Sequence, residues 1–73
     1  MKAYGKGYYE DPNWELYENI ESGYPASIVQ EALDNGANPD YVIPGKGESS
    51  RNLARRLKKE GTLNSKIAEL LKI

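Results

Sequence analysis

The stretch Asp11-Pro12-Asn13-Trp14-Glu15-Leu16-Tyr17-Glu18-Asn19-Ile20-Glu21-Ser22-Gly23-Tyr24-Pro25, continuing into Ala26-Ser27-Ile28-Val29-Gln30-Glu31-Ala32-Leu33-Asp34-Asn35-Gly36, decides the fold. Asp11 can accept from the free amides at a helix start, and Pro12 suits a first turn, where its missing N–H is not needed. Trp14, Tyr17, Ile20 and Tyr24 then recur at three- to four-residue spacing. That spacing predicts one apolar helical stripe with Glu15, Glu18 and Glu21 on a solvated ridge beside it. Gly23 sits where a helix should stop, and Pro25 restarts one at once. Ile28, Val29, Ala32 and Leu33 share a face of this second helix, which Asn35-Gly36 ends.

The same reading extends outward. Asn38-Pro39-Asp40 looks like another cap and first turn, leading into Tyr41-Val42-Ile43. Pro44 cuts that stretch short, so a packed connector is expected, followed by a flexible loop at Gly45-Lys46-Gly47. Glu48, Ser49 or Ser50 then caps a third helix with Leu53, Ala54 and Leu57 inside and Gly61 as its stop. Asn64 caps a fourth, with Ile67, Ala68, Leu70 and Leu71 inside and Leu63 as a staple at its entrance. The expected architecture is all-α: a small four-helix domain of two helix-turn-helix hairpins, residues 11–36 and 48–73, preceded by a Tyr-rich N-terminal arm, residues 1–10.

Gly23 and Gly61 separate the helices of each pair at corresponding points, a weak internal repetition. Residues 16–40 resemble the body of an ankyrin repeat, best in Ala32-Leu33-Asp34-Asn35-Gly36-Ala37-Asn38-Pro39-Asp40. Residues 47–71 can be laid on a second such unit with a short insertion before Gly61, although neither unit has the Thr-Pro-Leu-His start. The resemblance implies stacked helical hairpins.

Composition narrows the function classes. Seventy-three residues make one domain, near the size where a single core only just suffices. Self-association into a homo-oligomer is one way to compensate. Cysteine and histidine are both absent. That excludes disulfides, the Ser–His and Cys–His nucleophile pairs, and a histidine- or cysteine-based zinc or haem site. No cofactor is expected. Glu15, Glu18 and Glu21 are plentiful carboxylates without pocket-forming bulk around them, so a non-enzymatic protein is expected. With no apolar run near the ~18 residues of a span, no membrane role is expected, and the chain reads as soluble and cytoplasmic.

The net charge of −1 hides a reversal. Residues 1–40 carry two lysines against eight carboxylates, a sum of −6, while residues 41–73 carry eight cations against Glu48, Glu60 and Glu69, a sum of +5. The densest cluster is Arg51, Arg55, Arg56, Lys58 and Lys59, covering the third helix outside its apolar stripe. Three uses are open: nucleic-acid phosphates, an acidic protein surface, or the acidic first helix of this chain or another copy. Lys46, Ser49, Ser50 and Arg51, on a Gly-rich loop entering a helix, form a weaker candidate anion site for a phosphate-bearing ligand. The spacing is not that of a phosphate-binding P-loop, and Glu48 intervenes. Residues 63–73 resemble the first helix of a DNA-binding helix-turn-helix, but no reading helix follows them. Tyr4, Tyr8 and Tyr9, interleaved with Gly5, Lys6 and Gly7, suit a docking arm, because tyrosine offers large contact area with one wet end. The functional expectation is stoichiometric binding of another protein, as adaptor or inhibitor, through Tyr4, Tyr8, Tyr9 and the basic helix. Nucleic-acid binding by that helix is the alternative.

Overall fold

The computed structural model describes residues 11–73. The arm with Tyr4, Tyr8 and Tyr9 lies outside the described residues. Four helices follow in order: α1 Pro12–Glu21, α2 Ala26–Asp34, α3 Ser50–Glu60 and α4 Ser65–Leu71. The architecture is all-α, as expected.

Each helix begins and ends for a local reason. Asp11 Oδ1 accepts from the Asn13 amide at 2.9 Å, with Pro12 in the first turn of α1. Ser49, one of three candidates for the role, caps α3 by accepting from Asn52 at 3.1 Å, and Asn64 caps α4 by accepting from Lys66 at 2.7 Å. At the C-termini one closure recurs, with an amide reaching back five residues: Tyr24 to Asn19, Ala37 to Ala32, Thr62 to Leu57 and Ile73 to Ala68. This closure needs a left-handed residue just before the donor. Gly23, Gly36 and Gly61 supply it at φ +76°, +99° and +83°, while at the end of α4 Lys72 adopts φ +59° without glycine's freedom.

Packing follows a square: α1 lies against α2 and α3, and α4 against α2 and α3. The core at their centre is Leu16, Tyr17 and Ile20 of α1, Val29 and Ala32 of α2, Leu53 and Ala54 of α3, Ile67 and Leu71 of α4, and Ile43. Ile43 comes from the connector and fills space that no helix reaches. Because α1 touches two helices, its buried sector is wider than the expected stripe. Leu16 and Asn19 are fully buried, and Glu15 is only 2% exposed. The expected glutamate ridge is therefore corrected: Glu15 is interior, and Glu18 and Glu21 alone remain toward solvent. Asn19 Nδ2 donates to the Ile28 carbonyl at 3.4 Å, a polar link between α1 and α2 inside the core.

The connector keeps the expected single turn and departs from expectation in how it packs and in its loop. Asn38-Pro39-Asp40 forms a single turn, with Asn38 Oδ1 accepting from Asp40 and its carbonyl accepting from Tyr41, and no helix follows. Of Tyr41-Val42-Ile43, only Ile43 is packed, while Tyr41 and Val42 are exposed. An isolated antiparallel bridge pairs Val42 with Ser49, and the Ile43 amide donates to the Glu48 carbonyl at 3.0 Å. Lys46 and Gly47 both donate back to the Ile43 carbonyl. The loop expected to be flexible is thus a turn closed by its own backbone and anchored by a buried side chain. Among the described residues, no helix is long and apolar enough to cross a membrane.

Candidate functional site

The turn at residues 44–47 delivers Glu48 to the seam between α1 and α3, where it becomes a hub. Its Oε2 accepts from the Tyr17 hydroxyl at 2.7 Å and from the Arg56 guanidinium, and its Oε1 accepts from Asn52 Nδ2 at 3.2 Å. A buried tyrosine hydroxyl requires a partner, and Glu48 provides one across 31 residues of sequence. Burial pushes the Tyr17 phenol up to about 12, helped by its hydrogen bond to Glu48 and the charges of Glu48 and Glu21. Burial alone would raise the Glu48 carboxyl. The hydrogen bonds from Tyr17, Arg56 and Asn52, with the Arg56 charge, outweigh it and hold Glu48 below the ordinary carboxylate range. The same bond and charge raise Arg56.

Two further contacts join the acidic half of the chain to the basic half. Lys46 Nζ lies 3.4 Å from Glu21 Oε1 and 3.8 Å from Glu18 Oε2, and 5.5 Å from the centre of the Tyr17 ring. Arg51 Nη1 donates to both Asp40 oxygens, at 2.8 and 2.7 Å. The charge reversal in the sequence is thus partly internal: the loop and both ends of the connector are stitched to carboxylates before α3 has left its second turn.

These contacts also account for the candidate anion site. Lys46 is turned onto α1, Ser49 is the α3 cap, Ser50 is buried at 1% exposure, and Arg51 is held by Asp40. Lys46, Ser49 and Arg51 are thus engaged within the chain, and Ser50 is closed off from solvent.

The basic cluster of α3 divides in two. Arg51 and Arg56 are ion-paired with Asp40 and Glu48. Arg55, Lys58 and Lys59 are exposed and make no ion pair among the described residues. At ~100° per residue, Arg51, Arg55, Lys58 and Lys59 fall in one sector of about 100°, across the helix from Leu53, Ala54 and Leu57. No carboxylate of α3 shares it, Glu60 projecting about 100° away from Lys59, although Asp40 of the connector meets Arg51 at one end. Packing of Leu53 and Ala54 into the core, at 2% and 0% exposure, fixes which side of α3 faces outward. The result is an oriented strip of uncompensated positive charge about 6 Å long from Arg55 to Lys59, with the Arg51–Asp40 pair at its N-terminal end.

The opposite ends of the two hairpins leave a shallow cleft of about 320 Å³ between Ile20, Tyr24 and Pro25 on one side and Leu57, Leu63 and Ile67 on the other. Thr62 and Asn64 add polar groups to this lining, which carries no charge. Among the described residues no cluster of acidic, histidine or cysteine side chains is arranged to hold a metal ion. Sequence reasoning singled out the basic helix but missed the Glu48 hub, Asp40 and Tyr41-Val42. The available signal for Glu48 was a stripe tyrosine that would need a hydrogen-bond partner once buried. Comparison of the chain with protein-family models, curated proteins and solved structures finds no match, so the likeness to ankyrin repeats rests on its short motifs alone.

Proposed function

We propose that the protein is a non-enzymatic, cytoplasmic binding module that engages an acidic surface of another protein stoichiometrically, as adaptor or inhibitor, through the outer face of α3. The observation that carries this reading is the split of the basic cluster. Two of its five cations are used up inside the fold, and Arg55, Lys58 and Lys59 are left together, exposed and unpaired among the described residues. Like charges held within one helical turn destabilise a free helix slightly. An opposite potential on a partner relieves that repulsion and steers encounter. The arm residues Tyr4, Tyr8 and Tyr9 belong to the same proposal as additional contacts, since tyrosine is favoured at interfaces.

A carboxylate-free basic strip also favours a second reading, nucleic-acid binding by α3. Magnitude weighs against it. Three phosphate contacts give a salt slope near −2.7, so affinity falls only about 40-fold between 50 and 200 mM salt, against ~10³–10⁵ for a protein making six to ten contacts. Three contacts alone are a weak hold on a polyanion. A phosphate-bearing small ligand at Lys46, Ser49, Ser50 and Arg51 would have to displace internal hydrogen bonds and ion pairs.

The test compares the wild-type chain with Arg55→Gln/Lys58→Gln/Lys59→Gln as immobilised bait, with nuclease-treated and untreated extracts. The expected result is a protein recovered by the wild type and lost by the variant, whose reconstituted complex gives a 1:1 mass by light scattering. Equal recovery by both baits refutes the proposal. Recovery that nuclease abolishes transfers the face to nucleic acid, and a mass of two copies of this chain alone makes it a self-association surface.

A further inference from the structure

We infer that the docking surface extends from the basic strip onto Tyr41 and Val42, and that its occupant is an acidic protein segment with an apolar side chain beside its carboxylates. This deepens the proposed protein-binding function and rests on it.

Tyr41 and Val42 are the exposed large hydrophobic residues among those described, at 40% and 58%. Their exposure follows from the connector's geometry. Ile43 is drawn into the core, and in extended backbone adjacent side chains point to opposite sides, so Val42 faces outward. The connector is also fastened to the first turn of α3. Val42 bridges Ser49, the Pro39 carbonyl accepts from the Arg51 amide at 2.9 Å, and Asp40 holds the Arg51 guanidinium. Arg51 stands one turn before Arg55 on the same face. An unbroken path therefore runs from Tyr41-Val42 over the Arg51–Asp40 pair to Arg55, Lys58 and Lys59.

Charge complementarity selects the occupant. Asp40 is the carboxylate on this path and is neutralised by Arg51, so the cations of the strip have no internal counter-charge. A partner needs carboxylates over Arg55, Lys58 and Lys59 to match them. It needs an apolar group at the other end, because Tyr41 and Val42 offer contact area that water would otherwise wet. Tyr and Arg together are the composition in which binding energy concentrates at protein interfaces. The rigid fastening of the connector means little ordering cost falls on this side of the complex.

The experiment uses two synthetic peptides, measured by fluorescence anisotropy at low salt against the full chain. One carries glutamates on successive helical turns followed by Leu and Trp; the other has Ser at those two positions. The apolar-tipped peptide is expected to bind about tenfold more tightly. Tyr41→Ser/Val42→Ser should erase that preference while leaving the all-polar peptide unchanged, and Arg55→Gln/Lys58→Gln/Lys59→Gln should weaken both. Equal binding of the two peptides by the wild type overturns this inference and leaves the acidic-partner reading standing. Failure of both to bind overturns both. Tighter binding of a single-stranded oligothymidylate than of either peptide assigns the strip to nucleic acid and overturns the inference. If the double variant unfolds by circular dichroism, the peptide pair on the wild type decides.

Discussion

Replacing Glu48 by alanine should cost far more stability than its position in a surface turn suggests. The Tyr17 residue is 3% exposed, and its hydroxyl would lose its acceptor at the seam between α1 and α3. Leaving a buried donor unsatisfied costs about 1–3 kcal/mol. The Arg56 pair, with the arginine side chain 53% exposed, adds little after solvent screening. Asn52 is exposed and contributes little. The expected loss is about 2–3 kcal/mol, which for a domain of this size lowers Tm by roughly 10–20 °C. Tyr17→Phe removes the donor and should cost about 1 kcal/mol, because Glu48 keeps Arg56 and Asn52. The two changes should not add. A double-mutant cycle by urea denaturation should return a coupling of about 1–2 kcal/mol. Full additivity, or a Glu48→Ala loss below about 0.5 kcal/mol, would refute the claim that Glu48 ties α1 to α3.

The pH dependence has two limbs. Glu48 titrates lower in the folded state than in the unfolded one, so its stabilisation is present above the unfolded value and is lost as pH falls through the folded one. Glu48→Gln should therefore flatten the acid limb of the unfolding curve. The Tyr17 phenol is raised from 10.0 to about 12, so the neutral hydroxyl's stabilisation is complete below pH 10 and disappears toward pH 12. Absorbance titration should show one tyrosine ionising late, absent in Tyr17→Phe. Gly61→Ala should cost about 1–2 kcal/mol, from its φ of +83° and not from crowding, since no atom lies within 4 Å of an added Cβ. Lys72→Gly should instead stabilise by up to about 1 kcal/mol by relieving its φ of +59°; thermal melts measure both. Arg55→Gln/Lys58→Gln/Lys59→Gln should stay within about 1 kcal/mol of the wild type, because lost helix-end charge and relieved repulsion offset.

What the sequence revealed was local chemistry. Asp11 and Asn64 announce their helices through side-chain oxygens two residues from the amides they cap, and Gly23 and Gly61 mark left-handed closures. Such signals act over a few residues and survive any tertiary arrangement. The interior of α1 was less legible. Its aromatic stripe is one edge of a wider buried sector: α1 contacts both α2 and α3, and Asn19 reaches the Ile28 carbonyl of α2 from inside the core. Glu48 read as a possible cap and an obstacle to anion binding. Its role as a hub depends on Tyr17, 31 residues away, and no periodicity reports such a pairing. The basic helix was visible as composition, but its division into paired Arg51 and Arg56 and open Arg55, Lys58 and Lys59 follows from where Asp40 and Glu48 are carried by the connector.

The most direct measurement of the central claim is a map of backbone amide shifts in the isotopically labelled chain as the apolar-tipped acidic peptide is added to saturation. The account predicts shifts concentrated in residues 39–42 and 51–59, with α2 and the outer side of α1 unmoved. Shifts centred on Glu18, Glu21 and α2, or no saturable change at low salt, would contradict it.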